Sequence, residues 1–547
     1  MAVGLVSPGV EVREIDLTTI IPSVSSTEGA IAGVFAWGPV EEPVLVSSEV
    51  DLTKRFGKPI LNWNTETFFT AADFLAYADA LYVVRVSDGA KSFAQIDDGT
   101  GVNVTAVEAI YPGAMGNSIG VYIFDDVGFY DAVNTYAGYT NGAPRANEVH
   151  VVVVDLEGKF TGVVGGVLEI FENLSKIAGT KKDDGTNMFI RSAINDRSSY
   201  IQIPLTFDIN LLTDLVNVNL INGTDGNGEE TIAMGALEDG YLLFESAEEI
   251  DISFILQGKA RPAVNTTGSS QTYLSNWLIE NIAMVRKDCI VCVSPNKEAV
   301  VDNKGRELSD LSIFKTGRAP GSTTSVATGL TPSSYAVVDS GYKYRYDRYN
   351  DTYVWVPLNG DIGGIMSRTD DLRDPWWSPA GYNRGGLKNV VKLAYNPRQA
   401  DRDVLYKMGV NPVMTQVGQG TLLYGDKTAL NYPSAFDRIN VRRLFIVVEK
   451  AISKASRNYL FEFNDAFTRS QFVNAVEPYL REVQGRRGIY DFRVVCDETN
   501  NTPEVIDRNE FIGDIYIKPA RAINFIQLNF VAVRTGVEFS EIVGRVG

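Results

Sequence analysis

The strongest constraint on the fold is an apolar stripe near the C-terminus. Val441, Leu444, Phe445, Val448, Ile452, Ala455 and Tyr459 recur at spacings of three and four. Only an α-helix puts such residues on one face, so a long amphipathic helix is expected over roughly 436–463. Arg438, Arg442, Lys450, Lys454 and Arg457 fall on its other faces. A second stripe, Phe472, Val476, Tyr479, Leu480 and Val483, predicts a second helix. Thr468-Arg-Ser-Gln471 reads as its capping box. Pro478 is expected to kink it and Gly485 to stop it. Strands should follow, one with Phe492, Val494 and Cys496 on a shared face, a later one with Ile526, Leu528 and Phe530 alternating with Gln527 and Asn529. A rigid aromatic run, 375–386, precedes the pair of helices.

Upstream, the 547 residues leave room for three or four domains. Residues 1–22 read as an arm in which Val10 and Val12 form a short strand without a local hairpin partner. Residues 23–95 give strand, helix, strand: Ala30–Phe35, Thr65–Asp79 with one shared apolar face, and Leu81–Val86. Over 96–235, clusters of Gly, Asn, Asp and Thr interrupt short strands such as 149–154, which predicts a β-rich insertion. Residues 236–374 return to α/β, with strands at 251–256 and 288–293 and a helix over about 270–285. Residues 303–334 are rich in Gly, Ser and Thr and read as a long loop.

Composition narrows the function classes. No run of about 18 apolar residues is present to span a bilayer, and no signal-peptide pattern opens the chain. Three cysteines make no disulfide framework, as expected for folding in a reducing cytoplasm. The formal net charge of −18 argues against nucleic acid as a partner of the whole chain. The charge is uneven: residues 376–490 hold 17 Lys and Arg against 9 Asp and Glu. Either solvated helices happen to cluster there, or a basic surface faces an acidic partner.

The candidate chemistries are weak. Cys289 and Cys292 form a C-x-x-C within a strand, where positions three apart point to opposite faces, so buried strand residues are the expectation. Gly420 to Thr428 nearly matches a phosphate loop, but Asp426 stands where the lysine is required and would repel phosphate. His150 is the single histidine, too little for a Ser-His-Asp site. Asp497 and Glu498 are adjacent acids without a distinguishing context, and the loop of Asp225, Asn227 and Glu229 falls short of a calcium loop. No catalytic, cofactor-binding or metal residue is assigned. Arg481, Arg486 and Arg487 cluster at the end of the second helix, where compensation of the helix dipole (about 0.3–1 kcal/mol per charge) would by itself account for them.

Several long runs carry a family resemblance. Ala435–Phe445, Leu460–Asn464, Thr468-Arg469, Cys496–Pro503 and Tyr516–Arg521 resemble the contractile tail sheath proteins of T-even-type myophages. So do Tyr342–Tyr346, Trp355–Gly360, the Trp376-Trp377-Ser-Pro-Ala-Gly run and Ser7–Val12. The resemblance is dense over 1–95 and 340–547 and thin between. It implies an α+β, multidomain fold with a discontinuous α/β core, a β-rich outer insertion and an inner C-terminal domain carrying exchanged β-strand arms. The expected domains are 1–22, an N-terminal arm joining the inner domain; 23–95 and 236–374, two segments of a middle domain; 96–235, the outward insertion; and 375–547, the inner domain with its C-terminal arm.

The function implied is structural, not enzymatic. Subunits would form hexameric rings stacked helically around a tail tube and contract by rigid-body rearrangement to drive the tube through the host envelope. The arms, with Val10 and Val12 at one end and Ile526, Leu528 and Phe530 within about 524–538 at the other, would add strands to neighbours' sheets. Segments 16–27 and 534–536 would serve as hinges. Arg481, Arg486 and Arg487, with Arg469 as a lesser candidate, would face the acidic tube. The implied partners are further copies of the chain, the tail tube protein, and the baseplate and tail terminator proteins, with no cofactor, no nucleic acid and no membrane insertion. The implied location is the virion tail, assembled in the host cytoplasm. Two alternatives stand beside this: the sheath of a non-viral contractile injection system, and a carbohydrate-binding virion surface protein acting through residues 96–235.

Overall fold

The computed structural model describes residues 25–97, 103–124, 144–212, 215–261, 272–524 and 527. Its centre is a seven-stranded sheet. The strand order is Val410–Asn411, Ala336–Asp339, Ile290–Val293, Phe254–Leu256, Gly29–Gly33, Leu81–Arg85, Val44–Val46. Every neighbouring pair is parallel except the last. A parallel sheet is covered on both faces, so its strands are continuous apolar runs rather than alternating ones. Ile290–Val293 and Ala336–Asp339 are buried throughout.

Two cores form on the two faces. Val84, Ile255, Val291 and Val338 meet Tyr241, Ile279, Phe314 and Leu405 from helices on one side. Phe254, Leu256, Ile290 and Val337 meet Phe68, Phe74, Ile362 and Met366 from helices on the other. Cys289 belongs to the first core and Cys292 to the second, as expected for strand positions three apart.

The helix Thr65–Leu75 departs from the sequence reading. All of its residues are buried, not one face only. The reason is a second cover: the helix Asn359–Leu372 lies across it, close enough that a Cβ on Gly360 would sit 2.3 Å from the Thr70 carbonyl oxygen. The long loop expected over 303–334 is also corrected. Glu307–Thr316 is a helix, which stops at Gly317 in the left-handed conformation (φ 73°) and puts Leu311 and Phe314 into the core. Its few apolar positions were masked by the surrounding Gly, Ser and Thr.

Between the sheet's two contributing segments lies an antiparallel β region. Three strands, Lys91–Asp97, Asn103–Pro112 and Ile201–Gln202, pair in one sheet. Four more, Leu215–Asn219, Ile119–Phe124, Glu148–Asp155 and Gly166–Ser175, pair in another. Val121, Val151, Val153, Ile190 and Ile201 share their core. The chain returns from this region through the loop of Asp225, Asn227 and Glu229, whose acids bond to protein. Asp225 accepts from the Ala114 N–H at 2.7 Å, and the Glu229 carboxylate accepts from Glu66 and Thr67 N–H at 3.1 and 2.8 Å. Those two donors are orphans of the first helical turn, so Glu229 fastens the returning chain to the helix N-terminus.

The C-terminal region packs two helices, Ile439–Ser456 and Ala466–Gly485, against the hairpin Ile489–Val495/Asp514–Pro519. The predicted stripes are its core: Leu444, Val448, Ile452, Phe472, Val476, Leu480 and Val483 close on Trp376, Ile489 and Cys496. The boundaries differ. The first helix ends at Ser456, with one 3-10 turn to Tyr459. The second is capped by Asp465, whose carboxylate accepts from the Thr468 N–H at 2.8 Å, rather than by Thr468. Gly485 is its last helical residue, and the left-handed turn that ends it is made by Arg487 (φ 67°).

Candidate functional site

The weak chemical candidates resolve into structural roles. His150 is fully buried in its strand and its Nδ1 accepts from the Asn173 N–H at 2.9 Å. Asp426 of the phosphate-loop look-alike is buried, accepting from the Tyr406 hydroxyl at 3.0 Å and paired with Arg438 at 3.0 Å. The neighbouring Gly420–Leu423 is one strand of a hairpin with Val413–Gln416, exposed at its tip and buried at its base. Burial pushes the Cys289 thiol up to about 12, away from reactivity. Asp497 makes a turn with Thr499. Among the described residues no group of His, Cys, Asp or Glu could hold a metal ion, and no helix is long and apolar enough to cross a membrane.

The basic excess of 376–490 is consumed in part inside the molecule. Arg443 forms a buried pair with Asp370. Lys450 and Lys454 both pair with Asp251. Arg438 takes Asp426. Arg486 pairs with Asp374 and lies over the Trp376 ring, 5.5 Å from its centroid. Several of these acids, Asp251, Asp370 and Asp374, come from outside the basic stretch, so the charge imbalance is in part a docking pattern between regions. Arg469 is buried, and its Nε donates to the Asp465 carbonyl at 3.0 Å, which removes it as a surface candidate. Arg481 and Arg487 are exposed, and Arg481 makes only an i,i+4 pair with Glu477 at 3.2 Å. Of the three clustered arginines, then, two are open to solvent and Arg486 is half committed.

The candidate arm residues Val10, Val12, Ile526, Leu528 and Phe530 lie outside the described residues. Their points of departure are described. The Ser26 carbonyl accepts from Arg443 and the Thr27 carbonyl from Ser367 Oγ at 3.0 Å, so the N-terminal end leaves between two helices. The C-terminal end leaves at Asn524, whose Nδ2 donates to Asp426 at 3.0 Å.

What sequence reasoning missed is an open surface. The C-terminal hairpin is a sheet of only two strands, and among the described residues no third strand pairs with either edge. Beside Asp514–Pro519 runs a groove of about 500 Å³. One wall is the helix face Phe445, Val448 and Ile452; the other is Ile515 and Ile517; Phe472 and Phe511 also line it. The stripe of the first helix is therefore wider than the hairpin that covers it. A two-stranded sheet is marginal alone and is stabilised by further strands.

Among the described residues, then, the site is the edge of a two-stranded sheet beside an apolar groove. Family models match three stretches: phage tail sheath protein central domain over 260–429, phage tail sheath C-terminal domain over 432–532, and tail sheath protein Gp18 domain III N-terminal region over 30–86. The chain is 33% identical to the tail sheath protein of Enterobacteria phage T4 and 32% identical to that of Vibrio phage KVP40, in each case over 99% of this chain and 100% of the relative. In fold it is similar to the sheath complex of an extracellular contractile injection system in the contracted state, at a TM-score of 0.51 and 13% identity, covering 97% of this chain and 98% of that one. The chain belongs to the phage tail sheath protein family.

Proposed function

We propose that this protein is the subunit of a contractile phage tail sheath, polymerising as stacked hexameric rings around the tail tube and contracting by rigid-body rearrangement of subunits to drive the tube through the host envelope. The observation that carries the reading is the edge of Asp514–Pro519, which no further strand pairs among the described residues, beside its apolar groove. A strand added there gains main-chain hydrogen bonds, and its alternate residues enter the groove. The arms have that period: Val10 and Val12 at one end, Ile526, Leu528 and Phe530 at the other. Donated to neighbouring copies, they would link subunits by bonds that depend little on side chains, so the mesh survives reorientation about hinges at 16–27 and 534–536. In this reading 1–22 joins the C-terminal region as the inner domain and 96–235 projects outward together with the strand Lys91–Asp97, while the middle domain, expected from 23–95 and 236–374, also takes in Val410–Asn411 of the central sheet.

Exposed Arg481 and Arg487, with Arg486 beside them, are proposed to meet the acidic tube through contacts weak enough to release in sequence. Baseplate and tail terminator proteins would bound the stack, assembly taking place in the host cytoplasm. The similarity in fold to an injection-system sheath also fits a non-viral contractile machine, and the test below applies equally to it. Deletion of residues 1–20 should leave folded monomers that form no tubes in negative-stain micrographs; normal tubes would remove the arm reading. Charge reversal at Arg481, Arg486 and Arg487 should abolish co-assembly with tube while tube-free polymers persist. Unchanged tube binding would remove the basic-surface assignment.

A further inference from the structure

Two aromatic surfaces are exposed among the described residues, and their chemistry is complementary. The first is the loop between the C-terminal helices. Leu460, Phe461, Phe463 and Phe467 are all exposed, Phe461 fully and Phe463 by 84%. Phe461 holds a left-handed backbone (φ 72°), a conformation bulky residues rarely adopt. The loop is fixed rather than loose: Asn464 Nδ2 donates to the Glu510 carbonyl at 2.8 Å and to Asn501 Oδ1 at 3.1 Å, and Asp465 caps the helix that follows. Phe461 and Phe463 are thus held outward on a fixed turn and Phe467 on the first turn of the helix that follows, with Glu462 and Asp465 among them. Exposed apolar clusters of this kind mark interaction sites.

The second surface is the hairpin Tyr342–Asp347/Thr352–Pro357, whose first strand has an inverted alternation. The inward positions of that strand are charged, beside the apolar Val354 and Val356 of the second. Lys343 Nζ reaches Asp73 at 2.9 Å and Asp361 at 2.7 Å, and Arg345 pairs with Asp73 while lying 4.2 Å from the Phe69 ring centroid. Its outward positions are aromatic. Tyr344 stacks on Tyr353 with centroids 5.5 Å apart and meets Trp355 at 4.7 Å; Tyr346 meets Tyr353 at 5.3 Å. Tyr346 and Tyr353 are about half exposed. Stability alone favours the opposite arrangement, apolar inside and charged outside. The ladder attracts cations: Lys392 Nζ lies 4.8 Å from the Tyr344 ring and 5.4 Å from Trp355.

We propose that the Phe461–Phe467 loop of one copy docks on the outer face of the Tyr344–Trp355 hairpin in a second copy. Phenylalanine rings would pack edge-to-face on the tyrosines, and Glu462 would approach Lys392. The two patches differ, so the contact is head-to-tail and continues as a ring or a helix. This rests on the sheath reading for its setting and is independent of the strand arms.

The experiment uses the full chain and measures the concentration at which polymers form, by sedimentation. F461S/F463S and Y346S/Y353S should each raise it tenfold or more, with thermal unfolding of the monomer unchanged for the exposed phenylalanine pair and the tyrosine pair compared at a temperature where its monomer stays folded. Combining all four should cost no more than the larger pair, since both act on one contact. A mixture of F463C subunits with Y353C subunits should form an intersubunit disulfide that neither forms alone; Cys289, Cys292 and Cys496 are buried and do not compete. An unchanged threshold for either pair, effects that multiply, or absence of the mixed disulfide overturns the docking. Failure of the unsubstituted chain to polymerise even with tube and baseplate would instead remove the sheath reading, and a mixed disulfide would then still report the contact.

Discussion

The seven-stranded sheet and the C-terminal hairpin are both sheets packed on helices, yet they finish differently. The large sheet closes itself. Its edges are the three-residue strand Val44–Val46 and the two-residue strand Val410–Asn411, too short to invite pairing, and helices fill both faces. The hairpin has strands of seven and six residues, no third strand among the described residues, and an uncovered groove at one side. The first region carries the stability of a single copy. The second is proposed to complete its contacts with strands from other copies. Substitutions in the two regions should therefore separate: the first should alter unfolding and the second should alter assembly.

The largest effect is expected at Lys343. It is fully buried between Asp73 and Asp361. Lys343→Met leaves two buried carboxylates short of their cation and should cost about 3–5 kcal/mol in denaturant unfolding. A smaller loss would mean that water reaches the site and that the body is less closed than its burial indicates. Gly360→Ala should cost about 1–3 kcal/mol, because the new methyl meets the Thr70 carbonyl and the two helices must move apart. A neutral result would show that the helices slide freely, contrary to a closed core.

Asp339 tests the body by pH. It lies buried at the end of its strand, accepting from Ser294 Oγ at 2.6 Å and the Gly341 N–H at 2.8 Å, and burial pushes its carboxyl up to about 8. A carboxyl whose folded value lies above its unfolded value binds a proton more readily in the native state. Its contribution to stability is then full in acid and falls as pH rises from about 4 to about 8. Wild type should lose stability over that window relative to Asp339→Asn. Parallel profiles would mean that the carboxyl titrates alike in the folded and unfolded states.

The sequence was most informative where pattern and burial coincide. Ala30–Phe35, Leu81–Val86 and the strand holding Cys289 and Cys292 were legible as continuous apolar runs, and the two C-terminal stripes named their own core residues. It failed where tertiary context decides. Nothing in Thr65–Leu75 announces a second covering helix, since that depends on Gly360 far along the chain. Glu307–Thr316 was hidden by its Gly- and Ser-rich surroundings. The site was legible only in part. The Arg481, Arg486 and Arg487 cluster was visible, but the pairing of Arg486 with Asp374, the burial of Arg469 and the groove beside Ile515 and Ile517 depend on contacts between distant segments. Phe461 and Phe463 fell within the helix expected over 436–463; the structure ends that helix at Ser456 and leaves both exposed.

The smallest effect is expected at Arg481, and it sharpens the comparison most. Its pair with Glu477 spans one helical turn with the arginine side chain 70% exposed, so solvent screens it and the chain entropy of two long side chains opposes it. Arg481→Ala should shift monomer stability by no more than about 0.5 kcal/mol, and raising salt should remove even that. If unfolding changes by several times as much, Arg481 holds the C-terminal region together from within, as Arg443 does through Asp370. If unfolding is unchanged while binding to the tube weakens, the residue is held at the surface for a partner. A helix that gains nothing from a charge in isolation, and loses an assembly contact without it, is the behaviour expected of the open region and of no residue in the closed sheet.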